Sequence, residues 1–184
     1  MKTHKPDIFL IVLLAIFLIL GLFTLYNASS FKGETSFNDP FYYLKRQLLF
    51  LGLGIVGGII LYFINLNFLK KYSLWIIILG FAFMLLVFVP GLGIELNGAR
   101  RWIELGSFTI QPSEFFKLSL IIYLASFFSK NQAKINSFSN TILPFFIIII
   151  ISAGILIAQS SLGVLIITVL IAFSILFTAG VSWK

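Results

Sequence analysis

The chain has 184 residues, 60% of them hydrophobic and 10% charged, with a net charge of +7 and a mean hydropathy of +1.09. A soluble domain carries roughly 25% charged residues, so a water-soluble globular fold is excluded. The positive charge is spread over short connectors with no basic run, which points to a membrane-topology signal and away from nucleic acid as a partner.

Cysteine is absent, which removes disulfides and thiolate metal sites. His4 is the only histidine and lies in a terminal tail, so a His-based metal centre or catalytic triad has no material. Several apolar runs reach the ~17–25 residues that cross a ~30 Å hydrocarbon core. They predict an all-α, polytopic membrane helix bundle of six transmembrane helices, forming a single domain over residues 1–184.

In chain order, Lys2, His4 and Lys5 precede a first apolar run over residues 8–26. That run of about 19 residues is too long for the ~7–15-residue core of a signal peptide, and Ala28-Ser29-Ser30 is a weak cleavage signal, so a retained helix is expected. Residues 27–40 read as a polar loop ending at Pro40. Phe41-Tyr42-Tyr43 with Lys45, Arg46 and Gln47 reads as an aromatic and basic approach to the second helix, residues 47–64. Its Gly54 and Gly58 form a GxxxG pair that would permit close helix packing; membrane helices are also simply richer in glycine. A connector over residues 65–72 carries Lys70 and Lys71. The third helix covers residues 73–89 and stops at Pro90-Gly91, a breaker pair.

A hairpin centred on Leu105-Gly106-Ser107 follows within residues 101–110. Pro112 suits the first position of a fourth helix, residues 112–128, because its missing N–H is not needed there. Residues 129–141, with Lys130 and Lys134, form another connector. The fifth helix spans residues 142–158, Gln159-Ser160-Ser161 makes a polar turn, and the sixth helix spans residues 162–181. With the N-terminus cytoplasmic, Lys2, Lys5, Lys70, Lys71, Lys130, Lys134 and Lys184 lie inside, in connectors opposed only by Asp7, where the positive-inside bias is strongest. All three arginines then face outward, and a guanidinium fork suits phosphate.

Chemistry concentrates in the stretch from Asn97 to Lys117, NGARRWIELGSFTIQPSEFFK. Charge at the edge of lipid costs free energy, so a cluster this dense needs a reason. Glu114 and Lys117 lie three apart on one helix face and should pair. The pair is either an ordinary surface ion pair with the lysine snorkelling outward or one wall of a polar cavity between helices. Trp102 is either an interfacial anchor or a platform for a sugar ring.

This loop closely resembles the signature of the SEDS family, the bacterial proteins of shape, elongation, division and sporulation. The likeness extends from Asp39-Pro40 to Gln47 and to Ala179-Gly180-Val181, and the Asn97-Gly98-Ala99-Arg100-Arg101-Trp102 form is nearer the FtsW branch than the RodA branch. The resemblance implies a multipass peptidoglycan glycosyltransferase of the bacterial cytoplasmic membrane. Such an enzyme polymerises lipid II in cell division or cell-shape maintenance, beside a class B penicillin-binding protein. It implies substrate-binding positions at Arg100, Arg101, Gln111, Glu114 and Lys117, with the Glu-Lys pair lining the substrate cavity.

The implied reaction is an inverting transfer. A base removes the proton of the acceptor hydroxyl, which attacks the donor's anomeric carbon as the lipid diphosphate leaves. Arg100, Arg101 and Lys117 would stabilise the leaving diphosphate, and Glu114 would hold Lys117. No organic cofactor is evident, and a divalent cation at the diphosphate stays open. Family members have about ten spans by this resemblance, so the chain matches their first half. The acidic residue regarded as the base would lie beyond Lys184. The family's usual Gln-Pro-Asp-x-Gly-Thr turn appears here as Gln159-Ser160-Ser161-Leu162-Gly163-Val164. Two other classes remain on the sequence alone. One is a transporter, or flippase, of the same lipid-linked precursor, whose sign would be paired broken helices. The other is a non-catalytic membrane scaffold.

Overall fold

A computed structural model describes residues 7–181 apart from Asn97 and Ser107, and at Leu105 the backbone alone. Lys2, His4, Lys5 and Lys184, which the sequence reading puts on the cytoplasmic side, lie outside the described residues. The protein is mostly helical and divides into two compact units, Met1–Ile64 and Asn65–Lys184.

In the first unit, α1 (Ile8–Phe37) starts at Asp7, whose carboxylate accepts the Leu10 N–H at 3.2 Å. The expected loop over residues 27–40 is a misreading for most of its length, because the helix continues to Phe37. Its polar side chains turn back onto their own helix. Asn27 donates to the Phe23 carbonyl at 2.9 Å, Ser29 to Leu25 at 2.7 Å and Thr35 to Phe31 at 3.0 Å. Polarity there decorates the helix without interrupting its ladder.

The helix ends at Asn38, in the left-handed region at φ 53°, whose N–H bonds the Glu34 carbonyl. The chain reverses so tightly that a Cβ on Gly33 would stand 2.6 Å from the Asp39 carbonyl oxygen. The Asp39 carboxylate accepts from Lys45 Nζ at 2.7 Å and from the Phe41 N–H at 2.9 Å. These two bonds, the lysine first, hold its carboxyl below the ordinary range. Anchored this way, α2 (Tyr42–Phe63) begins well before the expected Gln47. A Cβ on Gly54 or Gly58 would meet nothing within 4 Å, so this GxxxG pair makes no close helix contact among the described residues.

The second unit holds α3 (Leu66–Leu85), which closes in a 3-10 turn at Leu86–Phe88. Residues 65–72 are not the expected connector. Asn65 caps α3 by accepting the Asn67 N–H at 2.9 Å, which puts Lys70 and Lys71 on the helix itself. Three short strands follow: β1 (Gly93–Leu96), β2 (Ala99–Leu105) and β3 (Phe108–Ile110), antiparallel in the order β1-β2-β3. The all-α reading is amended by this sheet: the expected hairpin is β2–β3, and β1 adds a third strand. After α4 (Pro112–Lys130), a 3-10 turn (Gln132–Lys134) and a π turn (Phe138–Ile142) lead into α5 (Leu143–Ala158) and α6 (Leu162–Thr178).

Among the described residues, four helical stretches are long and apolar enough to cross a membrane: Ile8–Phe37, Tyr42–Phe63, Leu66–Phe88 and Phe138–Ala158. Leu162–Thr178 is apolar but shorter.

The core of the second unit gathers Met84 from α3, Phe116 and Leu120 from α4, Phe145 from α5 and Ala172 and Leu176 from α6. Helices α3 and α4 run antiparallel with small residues at their seam. A Cβ on Gly80 would lie 3.0 Å from the Ser119 side chain, and the Ser73 and Ser126 hydroxyls are 3.0 Å apart. Such residues let backbones approach closely in an apolar medium.

The turn between α5 and α6 is tied to the end of α3. Gln159, 1% exposed, donates from Nε2 to the Met84 carbonyl at 2.9 Å. Ser160 takes φ 54°, a conformation that proline, fixed near −65°, cannot adopt. Proline is therefore excluded from this position of the turn. Replacing Gln159 by Leu removes the buried donor and leaves the Met84 carbonyl without it, at an expected cost of about 1–3 kcal/mol. Thermal unfolding in detergent checks this, with Ser174→Ala, which alters only an exposed bond within one helix, as the near-neutral control.

Candidate functional site

The site grows out of the segment that joins α3 to α4. Gly93 starts β1 directly over the end of the 3-10 turn, where a Cβ would overlap the Val87 carbonyl. Only glycine permits that approach, and the Glu104 N–H bonds the Leu92 carbonyl at 3.2 Å beside it. Leu96 pairs with Ala99, and Leu105 with Phe108, so two residues close each turn. Gly98 and Gly106 supply the positive φ these turns need, at 74° and 62°.

The β1–β2 register carries a bulge. Ile94 faces Trp102 and Glu95 faces Arg100, which leaves Arg101 as the extra residue. A bulge breaks the alternation of faces and re-aims the side chain it carries, so simple parity does not set Arg100 and Arg101 on opposite faces. Both arginines are half-buried. The Arg101 Nε is fully buried with no hydrogen-bond partner, an arrangement that costs free energy unless something accepts from it.

From β3 the chain passes through Gln111, the N-cap of α4, whose side chain makes no cap bond. Pro112 takes the first helical position, as its lack of an N–H favours. Ser113 follows, 1% exposed, its hydroxyl without a partner. Glu114 sits in the first turn, the favourable end of the helix dipole for an acid. One turn on, Lys117 Nζ lies 2.9 Å from Glu114 Oε1. The lysine side chain is only 16% exposed, whereas the glutamate is 55% exposed, so this is no free surface pair.

Both residues wall a cavity of about 460 Å³, completed by Phe115, Leu118 and Ile121 of α4 and by Ile171 of α6. A charged mouth beside apolar walls can receive a group that is anionic at one end and hydrocarbon at the other. The larger cavity, about 500 Å³ between α3 and α4, has no charged group in its lining and therefore no comparable chemistry.

The five residues that sequence reasoning singled out fall into two groups. Glu114 and Lys117 share the cavity. Arg100 and Arg101 stand on β2, Gln111 stands at the helix cap, and none of the three lines it. Sequence reasoning missed Ser113, Ile171, the bulge and strand β1. The Asn97-Gly98 dipeptide between alternating residues was the available signal for β1; nothing local marks Ile171. Among the described residues, no group of three or more acidic or histidine side chains could hold a metal ion.

Residues 7–184 match the FTSW_RODA_SPOVE family, described as "Cell cycle protein". The chain is 35% identical over 179 residues to Stage V sporulation protein E of Bacillus subtilis (strain 168), covering 97% of this chain and 49% of that protein. It is 33% identical over 179 residues to "Probable peptidoglycan glycosyltransferase FtsW" of Trichlorobacter lovleyi, covering 97% of this chain and 47% of that protein. The chain thus spans about half the length of the curated relatives it matches. The crystal structure of the Thermus thermophilus rod shape determining protein RodA superposes with a TM-score of 0.72 at 28% identity, over 100% of this chain and 57% of that one. A chain from a structure titled "Structural coordination of polymerization and crosslinking by a peptidoglycan synthase complex" gives 0.69 at 27% identity, over 89% and 48%.

The unequal exposure of the ion pair has a measurable consequence. Glu114→Gln strands a mostly buried ammonium and should cost about 1 kcal/mol, modest because Glu114 is screened by solvent. Lys117→Met keeps the stem's packing and should cost less. Melting temperatures of the two variants in one detergent test the order; a larger loss for Lys117→Met would mean that the charge, not its partner, holds the fold.

Proposed function

Because the chain belongs to the FtsW/RodA/SpoVE family of cell cycle proteins, we propose that it acts within a peptidoglycan glycosyltransferase that polymerises lipid II, and that the Lys117–Glu114 cavity receives the donor's lipid diphosphate. The observation that carries this reading is the Lys117 ammonium, 16% exposed and held at 2.9 Å by Glu114, in the wall of an otherwise apolar cavity. A diphosphate joined to a long hydrocarbon matches both the charge and the walls. The glycosyltransferase name of the Trichlorobacter lovleyi relative and the synthase complex among the structural neighbours support the same chemistry.

In this mechanism the growing negative charge on the leaving diphosphate is met by cations already in place, which cost no reorganisation as the bond breaks. Lys117 acts at the cavity, and Glu114 orients it. Arg101, with its unsatisfied Nε, and Arg100 act from the sheet on the sugar-phosphate end, with Gln111 beside them. General-base removal of the acceptor proton, typically worth ~10²–10⁴-fold, is assigned to no residue of this chain. We further propose that six helices span the bacterial cytoplasmic membrane with the N-terminus inside, so that the sheet and arginines face outward. A class B penicillin-binding protein would then be the partner that crosslinks the product.

In the complete protein, Lys117→Ala should lower lipid II polymerisation at least ~10²-fold, the usual effect of removing one preorganised charge, while membrane insertion stays normal. Arg101→Lys should lower it by more than charge conservation implies, because the guanidinium fork is lost. Gel analysis of glycan strands made from lipid II measures both. Polymerisation at the unmodified rate in Lys117→Ala would sink the cavity's role.

A further inference from the structure

At the end of α3 and α4 remote from the sheet, two lysines converge on one place. Lys70 Nζ donates to Ser129 Oγ at 2.9 Å, and Lys130 Nζ reaches the Lys70 carbonyl at 3.4 Å. Each ammonium has three donors, so both keep hydrogens to spare. Neither has a carboxylate partner among the described residues, and the sequence places no Asp or Glu between Asp39 and Glu95 or after Glu114. Directly beside them lies a groove of about 400 Å³, in which Lys70 and Ser129 sit next to apolar Leu66, Leu69, Ile122 and Ala125. The wall is mostly hydrocarbon, Lys70 stands at its mouth with Lys130 reaching in beside it at the Lys70 carbonyl, and the elements that form it include a helix long and apolar enough to cross a membrane.

We infer that this groove is a binding site for an anionic phospholipid, with its phosphodiester between Lys70 and Lys130 and an acyl chain along the α3–α4 groove. Charge complementarity selects the occupant: a zwitterionic lipid would bring its own cation to a mouth with no carboxylate partner among the described residues. An uncharged polypeptide helix would fill the apolar groove but leave both ammonium groups unmatched. Basic clusters of this kind at the membrane surface attract anionic headgroups, and the attraction grows with each lysine. This inference stands apart from the glycosyltransferase reading, because it uses neither the sheet nor the Lys117 cavity.

The test uses the complete chain purified in detergent and titrated with dioleoyl phosphatidylglycerol or dioleoyl phosphatidylcholine, with bound lipid counted by native mass spectrometry. The phosphatidylglycerol should bind about tenfold tighter, as two lysines near a lipid phosphate imply. Lys70→Gln with Lys130→Gln should bring it to the phosphatidylcholine level. Lys71→Gln should change little, since Lys71 lies over the Tyr72 ring and takes no part in the contacts that join Lys70, Ser129 and Lys130. Ala125→Trp should expel the lipid with both lysines intact, because Ala125 is exposed and lines the groove.

Equal binding of the two lipids would overturn the site. So would displacement by excess inorganic phosphate, which would mark a free-anion site, or no effect of Ala125→Trp. If Lys71→Gln cost as much as the double change, the attraction would be diffuse and the groove no site. Should the double variant fail to fold, Lys70→Gln alone carries the test with the same two outcomes.

Discussion

An ammonium group on a helix wall that is otherwise apolar is tolerated only beside its counter-charge, and the pairing of Lys117 with Glu114 meets that condition here. The distance of 2.9 Å follows from the spacing of three on one face of α4. Pro112 can occupy only the first turn, which puts Glu114 at the positive end of the helix dipole and Lys117 one turn deeper. Without Glu114 the lysine would stand beside Leu118, Ile121 and Ile171 with no counter-charge from its own helix face.

The sheet is the device that delivers the chain to that start. Glycine at 93 lets β1 lie against the Val87 carbonyl, and two tight turns bring β3 back to the helix cap. In doing so it accepts a bulge at Arg101 and leaves a buried guanidinium nitrogen and the Ser113 hydroxyl without partners. A third such group among the described residues, the Ser161 hydroxyl, lies at the turn between α5 and α6, so these orphaned groups fall on a bulge, a helix start and a turn.

Helices α3 and α4 carry opposite characters at their two ends. Antiparallel packing through Gly80–Ser119 and Ser73–Ser126 puts the strands, arginines and the Glu114–Lys117 pair toward one end. Lys70 and Lys130 meet at the other. Lys117 and Lys130 are thirteen residues apart on α4, about 20 Å at 1.5 Å per residue. The same seam that stiffens the unit keeps its two cationic regions at opposite ends of the helix pair.

Composition and local pattern alone determined the membrane class, the approximate place of each apolar helix, the β2–β3 hairpin and the Glu114–Lys117 pairing. Each depends on residues close together in the chain: hydropathy over a window, a proline's missing N–H, a spacing of three on one helix face. The continuation of α1 to Phe37 and the helical start of α3 escaped because polar residues look like loops until their side chains are seen bonding within the helix. Only the tertiary structure decided that Ile171 shares a cavity with Lys117, that Gln159 fastens Met84, that Arg101 is the bulged residue and that Lys70 meets Lys130. Ile171, Gln159 and Lys130 each stand more than fifty positions from their partners, and the bulge depends on the pairing register of two strands; no local period encodes either.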